Sequence, residues 1–483
     1  MYRLREMELD DKVCEQVDGR LLSQVYPAEA IEGCVGQSQS WMSKVRRVRQ
    51  STLVALVLFV IGMALWSRLS QRRVWDKLVG KLSALHPGAP HSELSAAALS
   101  GRRTALGSQG LQALMQECCV VLGQPQSMPS AFLGRYRLMA IDGTLFNTAD
   151  TLANEAAFGR SSNQYGKGAY PQVRCVLLCE CGSHATVGLE ISRYDVSEVH
   201  AAHRLLDELE GNTLLLVDAG IISGGFLEQA RKRRVHVLGA LEAGVWEHLP
   251  GQRRLCDGSV LVFVPPSGKG QALYPVQHGL WVRIIAYRVT DERLGELGQT
   301  YRLVTTLLNP RVAPARDLIT LYHERWEVEL VIDEIKTHER VQRKVLRSKT
   351  PEGVRQELYG LFLAHYAVRA LMAQAAVEAG LDPDRLSFTQ GLFVLTEMLD
   401  LALLLEAEAT EPLLGRMRAT MACHVLPERR LRVNRREVKQ VYNKYKPKKR
   451  HLPPPAPFEP GEQFLDFVDL LDPLAAVLPV GGP

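Results

Sequence analysis

The spacing of apolar positions changes along the chain and divides it into three stretches. Residues 1 to about 130 have a helical pattern around a central apolar run from Leu53 to Trp66. From Arg135 onward, short apolar runs and alternation are typical of strands. From Asp317 to about Leu405 the helical pattern returns. The chain is therefore expected to be an α/β protein.

The central stretch predicts two sets of strands. The first set is YRLMAIDGT, VRCVLLCE, ATVGLEIS, NTLLLVDAG and VHVLGAL, with a helix from Ser197 to Glu210 before the fourth strand. This order of three strands, helix, strand, helix and strand predicts a sheet of mixed direction. The second set is GSVLVFVPP, LWVRIIAYRV and YRLVTTLL. It is rich in β-branched residues and predicts a β insertion at about 242–316.

The run from Leu53 to Trp66 has fourteen uncharged residues between Arg49 and Arg68. A helix that crosses a bilayer core needs about 20. The run is therefore expected to be a buried helix, and no membrane partner is expected.

Charge is concentrated near the carboxyl end. The window from Arg429 to Arg450 has 11 basic residues and one acidic residue, a net charge of +10 in a chain whose total is +5. The rest of the chain is therefore mildly acidic. A basic segment on such a body is typical of a protein that binds a polyanion, although a solvated tail explains it about equally well.

Nine cysteines are scattered without a secretory signal before them, which favours reduced thiols in the cytoplasm. Cys175, Cys179 and Cys181 would line one face of a strand, with His184 close behind. A zinc site would need a second ligand cluster, so buried small side chains are the preferred interpretation.

Two acidic residues follow apolar strands, Asp142 in LMAIDGT and Asp218 in LLLVDAG. We expect both at the carboxyl ends of their strands, where open α/β sheets bind ligands. Each alone is more simply a turn residue.

The most informative segment is LYHERWEVELVIDEIK, from Leu321 to Lys336. On a continuous α-helix at about 100° per residue, one stripe about 60° wide carries four polar side chains. These are Tyr322, Arg325, Glu329 and Lys336. The stripe borders the apolar face, which suits a carboxylate that binds metal beside cations that bind phosphate. An ordinary amphipathic helix explains the same pattern equally well.

Asp142, Asp218 and Glu329 are of the residue type that holds a pair of Mg²⁺ ions. Such a pair stabilises the attacking and leaving oxygens of an in-line phosphoryl transfer.

Together these residues resemble the bacterial insertion-sequence transposases of the DDE class, in the insertion-sequence-four family. The signature Y-x2-R-x3-E-x6-K falls on Tyr322, Arg325, Glu329 and Lys336. The other matching pieces are AIDGTLFNTADTLANEAAFG, KGAYPQVR, LLLVDAG, VLRSKTPEGVRQELYG, RQSTLVALVLF and the basic tail. The resemblance covers nearly the whole chain in the right order.

The resemblance implies an RNase H-like catalytic core with a β insertion, preceded by a helical N-terminal domain and followed by a basic tail. The implied boundaries are 1–130 for a DNA-binding domain, 131–425 for the catalytic domain and 426–483 for a basic and then proline-rich tail. The implied activity cuts transposon ends and joins them to target DNA.

The resemblance also implies roles for individual residues. Asp142, Asp218 and Glu329 would bind Mg²⁺, with Mn²⁺ as a substitute and no small-molecule cofactor. The DNA contacts would come from basic and aromatic residues of the signature, the following segment and the tail, namely Tyr322, Arg325, Lys336, Arg347, Lys349, Arg435, Arg436 and Lys439. Trp246 and Trp281 are candidates to stack on a flipped base, although core packing is the favoured role of each.

The expected partners are transposon-end and target DNA, with a homodimer formed on DNA in the cytoplasm, associated with the nucleoid. One departure from the family is Ala219 and Ile221 after the second aspartate, where many relatives have an arginine and an aromatic residue. The alternatives are an inactive DNA-binding descendant and a metal-dependent nuclease without strand transfer. A recombinase with Tyr322 as nucleophile would need an Arg and His constellation that the sequence lacks.

Overall fold

The computed structural model describes residues 20–37, 50–85, 95–163, 166–241, 246, 248–267, 274–291, 298–323, 326–339, 345–402, 409–427, 459 and 461–473. The chain divides into two compact units. The first combines Met1–Leu209 with Trp326–Val425, and the second combines Glu210–Arg325 with Leu426–Pro483.

The described part of the chain before residue 120 is helical, as the sequence predicts. Its helices are α1 (Arg20–Ser23), α2 (Ala28–Ile31), α3 (Gln50–Leu65), α4 (Gln71–Leu85), α5 (Ala96–Leu106) and α6 (Gln109–Cys118), with a π turn at Glu32–Gly36. Helix α3 contains the apolar run, and nearly all of its side chains from Leu53 onward are buried. The prediction of a buried helix is confirmed.

The next part of the first unit consists of antiparallel strands and two helices. The elements in order are β1 (Phe132–Leu133), β2 (Tyr136–Asn147), α7 (Leu152–Phe158), β3 (Ser162–Asn163), β4 (Gly166–Lys167), β5 (Gln172–Glu180), β6 (Thr186–Arg193) and α8 (Glu198–Leu205). Strand β5 lies between β2 and β6, β1 pairs with β2, and β3 pairs with β4 in a separate two-stranded sheet. Cys175, Cys179 and Cys181 are buried, as expected. Burial raises the pKa of the Cys179 thiol to about 12.

The second unit contains a parallel strand pair that the β insertion extends. Its elements are β7 (Thr213–Val217), α9 (Gly224–Lys232), β8 (Val235–Ala240), β9 (Arg253–Arg254), β10 (Val260–Val264), β11 (Leu280–Val289), β12 (Tyr301–Thr305) and α10 (Ala315–His323). Strand β7 pairs in parallel with β8, and β8, β12, β11, β10 and β9 then pair antiparallel in that order. The predicted strands of the insertion are confirmed.

The chain then continues as helices of the first unit. They are α11 (Trp326–Asp333), a π turn at Glu334–Glu339, α12 (Pro351–Ala379), α13 (Phe388–Ala402) and α14 (Thr410–Ala422). Short 3-10 turns lie at Pro129–Ala131, Leu206–Glu208, Pro383–Arg385 and Phe464–Phe467. The expected α-helix through Lys336 is wrong in its last turn, which is π instead of α.

The sequence pattern assigns no fold to the tail, and the structure shows a 3-10 turn and a strand at residues 464–471. Strand β13 (Val468–Leu471) pairs antiparallel with Ala286–Val289 of β11. The side chains of Phe464 and Val468 are buried. These apolar side chains are buried where the segment adds a strand to the insertion.

Helix α12 is long and apolar enough to cross a membrane, but 89% of its most apolar window is buried inside the fold. It crosses α3 closely at Gly360. A Cβ atom at Gly360 would lie 2.6 Å from Cγ1 and 2.9 Å from the carbonyl oxygen of Val60. The absence of a side chain at Gly360 therefore permits the two helices to touch.

Four buried polar side chains join the π turn to α12 and to the β5–β6 turn; we call them the Glu334 cluster. Its members are Glu334, His365, Arg369 and His184. The Glu334 carboxylate accepts hydrogen bonds from Arg369 Nε at 3.0 Å, from Arg369 Nη2 and from His365 Nε2 at 3.0 Å. Arg369 Nη2 also donates to His184 Nδ1 at 2.7 Å, which assigns that nitrogen as the unprotonated one.

Burial by itself would raise the pKa of the Glu334 carboxyl, but the charge of Arg369 and the hydrogen bond from His365 bring it well below its usual range. Burial lowers the pKa of His365 despite its hydrogen bond to Glu334. The cluster therefore holds one carboxylate, one guanidinium and a neutral His365 imidazole near pH 7.

We predict that Gly360→Ala destabilises the protein by about 1–3 kcal/mol, because the added methyl group overpacks the α3–α12 crossing. The matched control is Gly415→Ala in α14, where a Cβ atom would meet nothing within 4 Å. There the better helix propensity of alanine should stabilise by up to about 1 kcal/mol. Thermal unfolding of the full chain measures both, and equal melting temperatures for the two variants would contradict the close crossing.

We also predict that His365 makes the protein less stable in mild acid. Its folded-state pKa lies below its ordinary value of 6.5, so below pH 6.5 the unfolded state takes up a proton that the folded state does not. The contribution of neutral His365 to the free energy of unfolding is fully present above pH 6.5. Below pH 6.5 this contribution decreases by up to about 1.4 kcal/mol per pH unit. His365→Gln should reduce that fall, whereas His248→Gln, at an exposed position, should not. Identical pH profiles for the wild type and His365→Gln would rule the effect out.

Candidate active site

Asp142 lies inside β2, half-buried, and not at the end of its strand as expected. The strand continues because residues Gly143 to Asn147 pair with β5. One carboxylate oxygen of Asp142 accepts a hydrogen bond from the backbone N–H of Gly143 at 2.7 Å. Since side chains alternate along a strand, Asp142 shares its face with Thr144 and Phe146.

Gly143 lies at a close approach of a side chain and not in a turn. A Cβ atom at this position would lie 2.6 Å from Cδ of Glu198, at the start of α8. The Glu198 carboxylate is held by an ion pair with Arg174 of β5. The glycine after Asp142 therefore lets α8 pack against the strand that carries the carboxylate.

Asp218 directly follows β7 and is exposed, at the strand end that the sequence predicts. One of its oxygens accepts from the N–H of Ala219 at 2.8 Å. Ile221, one of the departures from the family pattern, is fully buried. Its side chain is therefore withdrawn from solvent.

Tyr322 lies in the same unit as Asp218, on α10. Its hydroxyl donates to the carbonyl oxygen of Val217 at 3.5 Å, so the end of β7 brings the first signature residue beside the residue that precedes Asp218. Arg325 lies outside the described residues.

Glu329 and Lys336 follow in the first unit, both half-buried. Helix α11 packs against β2. The Lys336 ammonium lies 5.2 Å from the ring centroid of Phe146 on that strand. Helix α11 and the π turn after it therefore run along β2, and Lys336 meets the strand face that carries Asp142 and Phe146.

The three carboxylates suit a hard divalent cation by their chemistry, since Mg²⁺ prefers oxygen ligands. Asp142 and Glu329 belong to the first unit and Asp218 to the second. Among the described residues, no three His, Cys, Asp or Glu side chains are grouped as ligands of one ion. The joint site of Asp142, Asp218 and Glu329 thus stays a prediction.

Arg347 has partners in the protein itself. Its guanidinium donates to the carbonyl oxygens of Leu69, Met63 and Ser67 at 2.8, 2.8 and 3.1 Å. These carbonyls lie at or just after the end of α3, where backbone acceptors lack helical partners. Arg347 is better explained as the cap of α3 than as a phosphate contact. Lys349 is exposed just before α12.

The two candidate tryptophans differ in exposure. Trp246 is buried at 9% exposure, as core packing requires, whereas Trp281 on β11 is 40% exposed. Trp281 packs on Phe263 with ring centroids 5.4 Å apart. A Cβ atom at Gly251 would lie 2.6 Å from the Trp281 ring, so a glycine makes room for it. Arg435, Arg436 and Lys439 lie outside the described residues.

The sequence reasoning missed a second buried ion pair. Arg283 of β11 is fully buried, pairs with Asp257 and donates to the carbonyl oxygen of Ala313 at 2.6 Å. Asp257 accepts from the N–H of Ala315, the first residue of α10, at 3.0 Å. This pair anchors the helix of Tyr322 to the insertion. The available signal was an arginine at an inward position of the apolar strand LWVRIIAYRV.

The chain matches two family models. Residues 133–367 match the transposase DDE domain, and residues 17–116 match the N-terminal domain of insertion element 4 transposases.

Two relatives of known sequence agree with these matches. The transposase InsG for insertion sequence element IS4 of Escherichia coli K12 is 30% identical over 422 residues, which are 86% of this chain and 91% of the relative. The putative transposase InsZ of the same organism is 24% identical over 41% of this chain and 63% of its own length. The piggyBac transposase synaptic complex with hairpin DNA, solved by cryo-electron microscopy, matches at 11% identity and a TM-score of 0.40, over 84% of this chain and 85% of the other.

The two family models and the InsG relative confirm the α/β, RNase H-like fold class and the enzyme class that the motifs predict. By them, the chain belongs to the insertion-sequence-four family of DDE transposases.

Proposed function

We propose that this transposase cuts DNA at the ends of its insertion sequence and joins them to target DNA, with Asp142, Asp218 and Glu329 as metal ligands. The observation that carries the proposal is the contact of Lys336 with Phe146, because it brings the segment that carries Glu329 and Lys336 onto the strand that carries Asp142. Family membership supplies the reaction, and this contact supports the assignment of residues.

Mg²⁺, or Mn²⁺ in its place, would supply charge stabilisation to the attacking and leaving oxygens of the phosphoryl group. The chain supplies oxygen ligands from a strand, a strand end and a helix. Half-burial of Asp142 and Glu329 restricts their rotamers, so they keep one orientation toward the substrate.

The DNA phosphates would be held by the remaining signature residues, Tyr322, Arg325 and Lys336, and by exposed Lys349. Lys336 follows the helix of Glu329 by one turn and lies against the strand of Asp142, so its ammonium would reach a phosphate next to the reacting one. Phosphate contacts of this kind position DNA without reading its sequence.

Trp281 is the stronger candidate for stacking on a displaced base. Its ring is supported from behind by Phe263 while part of it stays exposed, as a stacking platform needs. Trp246 would remain in the core.

The N-terminal helices would recognise the transposon ends, with 1–130, 131–425 and 426–483 as the functional divisions. Helix α3 packs against α12, so the N-terminal helices share their core with the catalytic region. A fragment that ends at residue 130 would expose the apolar surface of α3, and end recognition is therefore best measured on the full chain. The DNA-bound form would be a homodimer associated with the nucleoid.

We predict that Asp142→Asn, Asp218→Asn and Glu329→Gln each abolish Mg²⁺-dependent cleavage of transposon-end DNA while end binding is kept. The substitutions remove metal-binding charge but leave the basic contacts in place. Cleavage, strand joining and gel-shift assays on folded variants measure the three steps separately.

The matched control is Asp333→Asn, an exposed carboxylate four residues after Glu329 on the same helix, which should leave cleavage intact. Loss of binding together with cleavage in the three variants would argue against the metal assignment. Cleavage by the wild type without joined product would favour the nuclease alternative.

We predict that the basic tail contributes affinity that does not depend on DNA sequence. Truncation at Leu426 would also remove β13, so charge substitution is the cleaner change. Replacing Arg435, Arg436 and Lys439 with glutamine should reduce the slope of log affinity against log salt by about 0.9 for each phosphate that the tail no longer neutralises. End DNA and random duplex should weaken by similar factors.

The control for this experiment removes three exposed charges elsewhere, with Arg231, Arg311 and Arg416 changed to glutamine. Equal changes of slope in the two triple variants would show that only net charge matters and that the tail has no special role.

A further inference from the structure

The Glu334 cluster places charge where an apolar core would be at least as stable. Removing an ion from water costs several kcal/mol, and apolar replacements of buried ion pairs are often neutral or stabilising. Two nitrogens of the cluster, Arg369 Nη1 and His365 Nδ1, also lack a hydrogen-bond partner in the described structure. Stability alone therefore does not account for these residues.

The cluster fixes a position and an orientation. Arg369 contacts both oxygens of Glu334 through two nitrogens, and this fork sets the plane of the carboxylate. His365, one turn before Arg369 on α12, donates to the same carboxylate. His184, from the β5–β6 turn, accepts from Arg369. Glu334 is thereby held against a helix and a sheet at once.

Glu334 is the first residue of the π turn, five residues after Glu329 and two before Lys336. A π turn is a rare local form that is often found at functional sites, and it changes the phase of the side chains that follow it. Lys336 then reaches the ring of Phe146 on β2. Whatever holds Glu334 thus fixes the end of the helix that carries Glu329 and the start of the turn that carries Lys336.

We propose that Glu334, Arg369 and His365 are positioning residues, which hold the helix of Glu329 and Lys336 in the phase that catalysis requires. The proposal rests on the proposed function for the roles of Glu329 and Lys336. The cluster touches neither DNA nor metal, and it acts through the helix alone.

The test removes the charges without leaving one unpaired. The triple variant Glu334→Met, His365→Phe and Arg369→Met should fold and bind transposon-end DNA as the wild type does. Its cleavage rate should fall about 100-fold, the size expected from a small misplacement of catalytic groups. It should also need more Mn²⁺ for half-maximal cleavage, and the amides of residues 329–339 should exchange hydrogen faster.

The matched control is the pair of half-buried Arg137 and buried Glu180 in the same unit, whose carboxylate accepts from the N–H groups of Leu122 and Gly123 and from the Ser183 hydroxyl instead of from the signature helix. Arg137→Met with Glu180→Gln should leave the cleavage rate, the Mn²⁺ requirement and the exchange of residues 329–339 unchanged.

Arg369→Lys is the second variant, because it keeps the charge but loses the fork. It should shift the Mn²⁺ requirement and the amide exchange in the same direction while end binding is kept. Wild-type cleavage and exchange in both variants would overturn the proposal. A wild type that does not cleave would count against the proposed function, whereas unchanged exchange of residues 329–339 would count against the cluster by itself.

Discussion

The burial of α12 is the constraint on which the first unit depends. This helix is buried along most of its length, so every neighbouring element must fit its surface. Helix α3 approaches it at Gly360, Phe362 packs edge-on against Phe146 of β2, and Glu334 neutralises Arg369. The N-terminal helices, the strand of Asp142 and the helix of Glu329 are thus all held by one central helix.

The residues of the signature are divided between the two units, and each part has its own anchor. In the first unit, Arg369 holds Glu334 near Glu329 and Lys336. In the second, Arg283 holds Asp257, which caps the helix of Tyr322. In each anchor, an arginine from an apolar helix or strand pairs with a carboxylate from a turn. A forked, always-charged guanidinium suits this use because its donors fix the geometry of the carboxylate.

Much of the fold could be predicted from local pattern. The apolar run of α3, the strands of the insertion and the order of strands and helices between β2 and β8 follow from periodicity, which depends on which side chains are apolar. The Y-x2-R-x3-E-x6-K spacing led to the family because it is specific by itself. The Asp218 strand end was also predicted correctly, since an acidic residue and a glycine follow a fully apolar strand.

Other features depended on partners far away in sequence. Asp142 lies within its strand because the residues after it, Gly143 to Asn147, still pair with β5. Gly143 leaves room for the side chain of Glu198, which is 55 residues later in the sequence. The family resemblance implies a DNA contact for Arg347. In the structure its guanidinium donates to three carbonyl oxygens at the end of α3. Glu334, the first residue of the π turn, accepts hydrogen bonds from buried Arg369 and His365. A helical wheel of residues 321–336 does not include these two partners. The sequence by itself therefore determined the elements and the family, because both depend on local spacing. Only the tertiary structure decided which charged side chains are buried as anchors, because desolvation and pairing depend on residues brought together by folding.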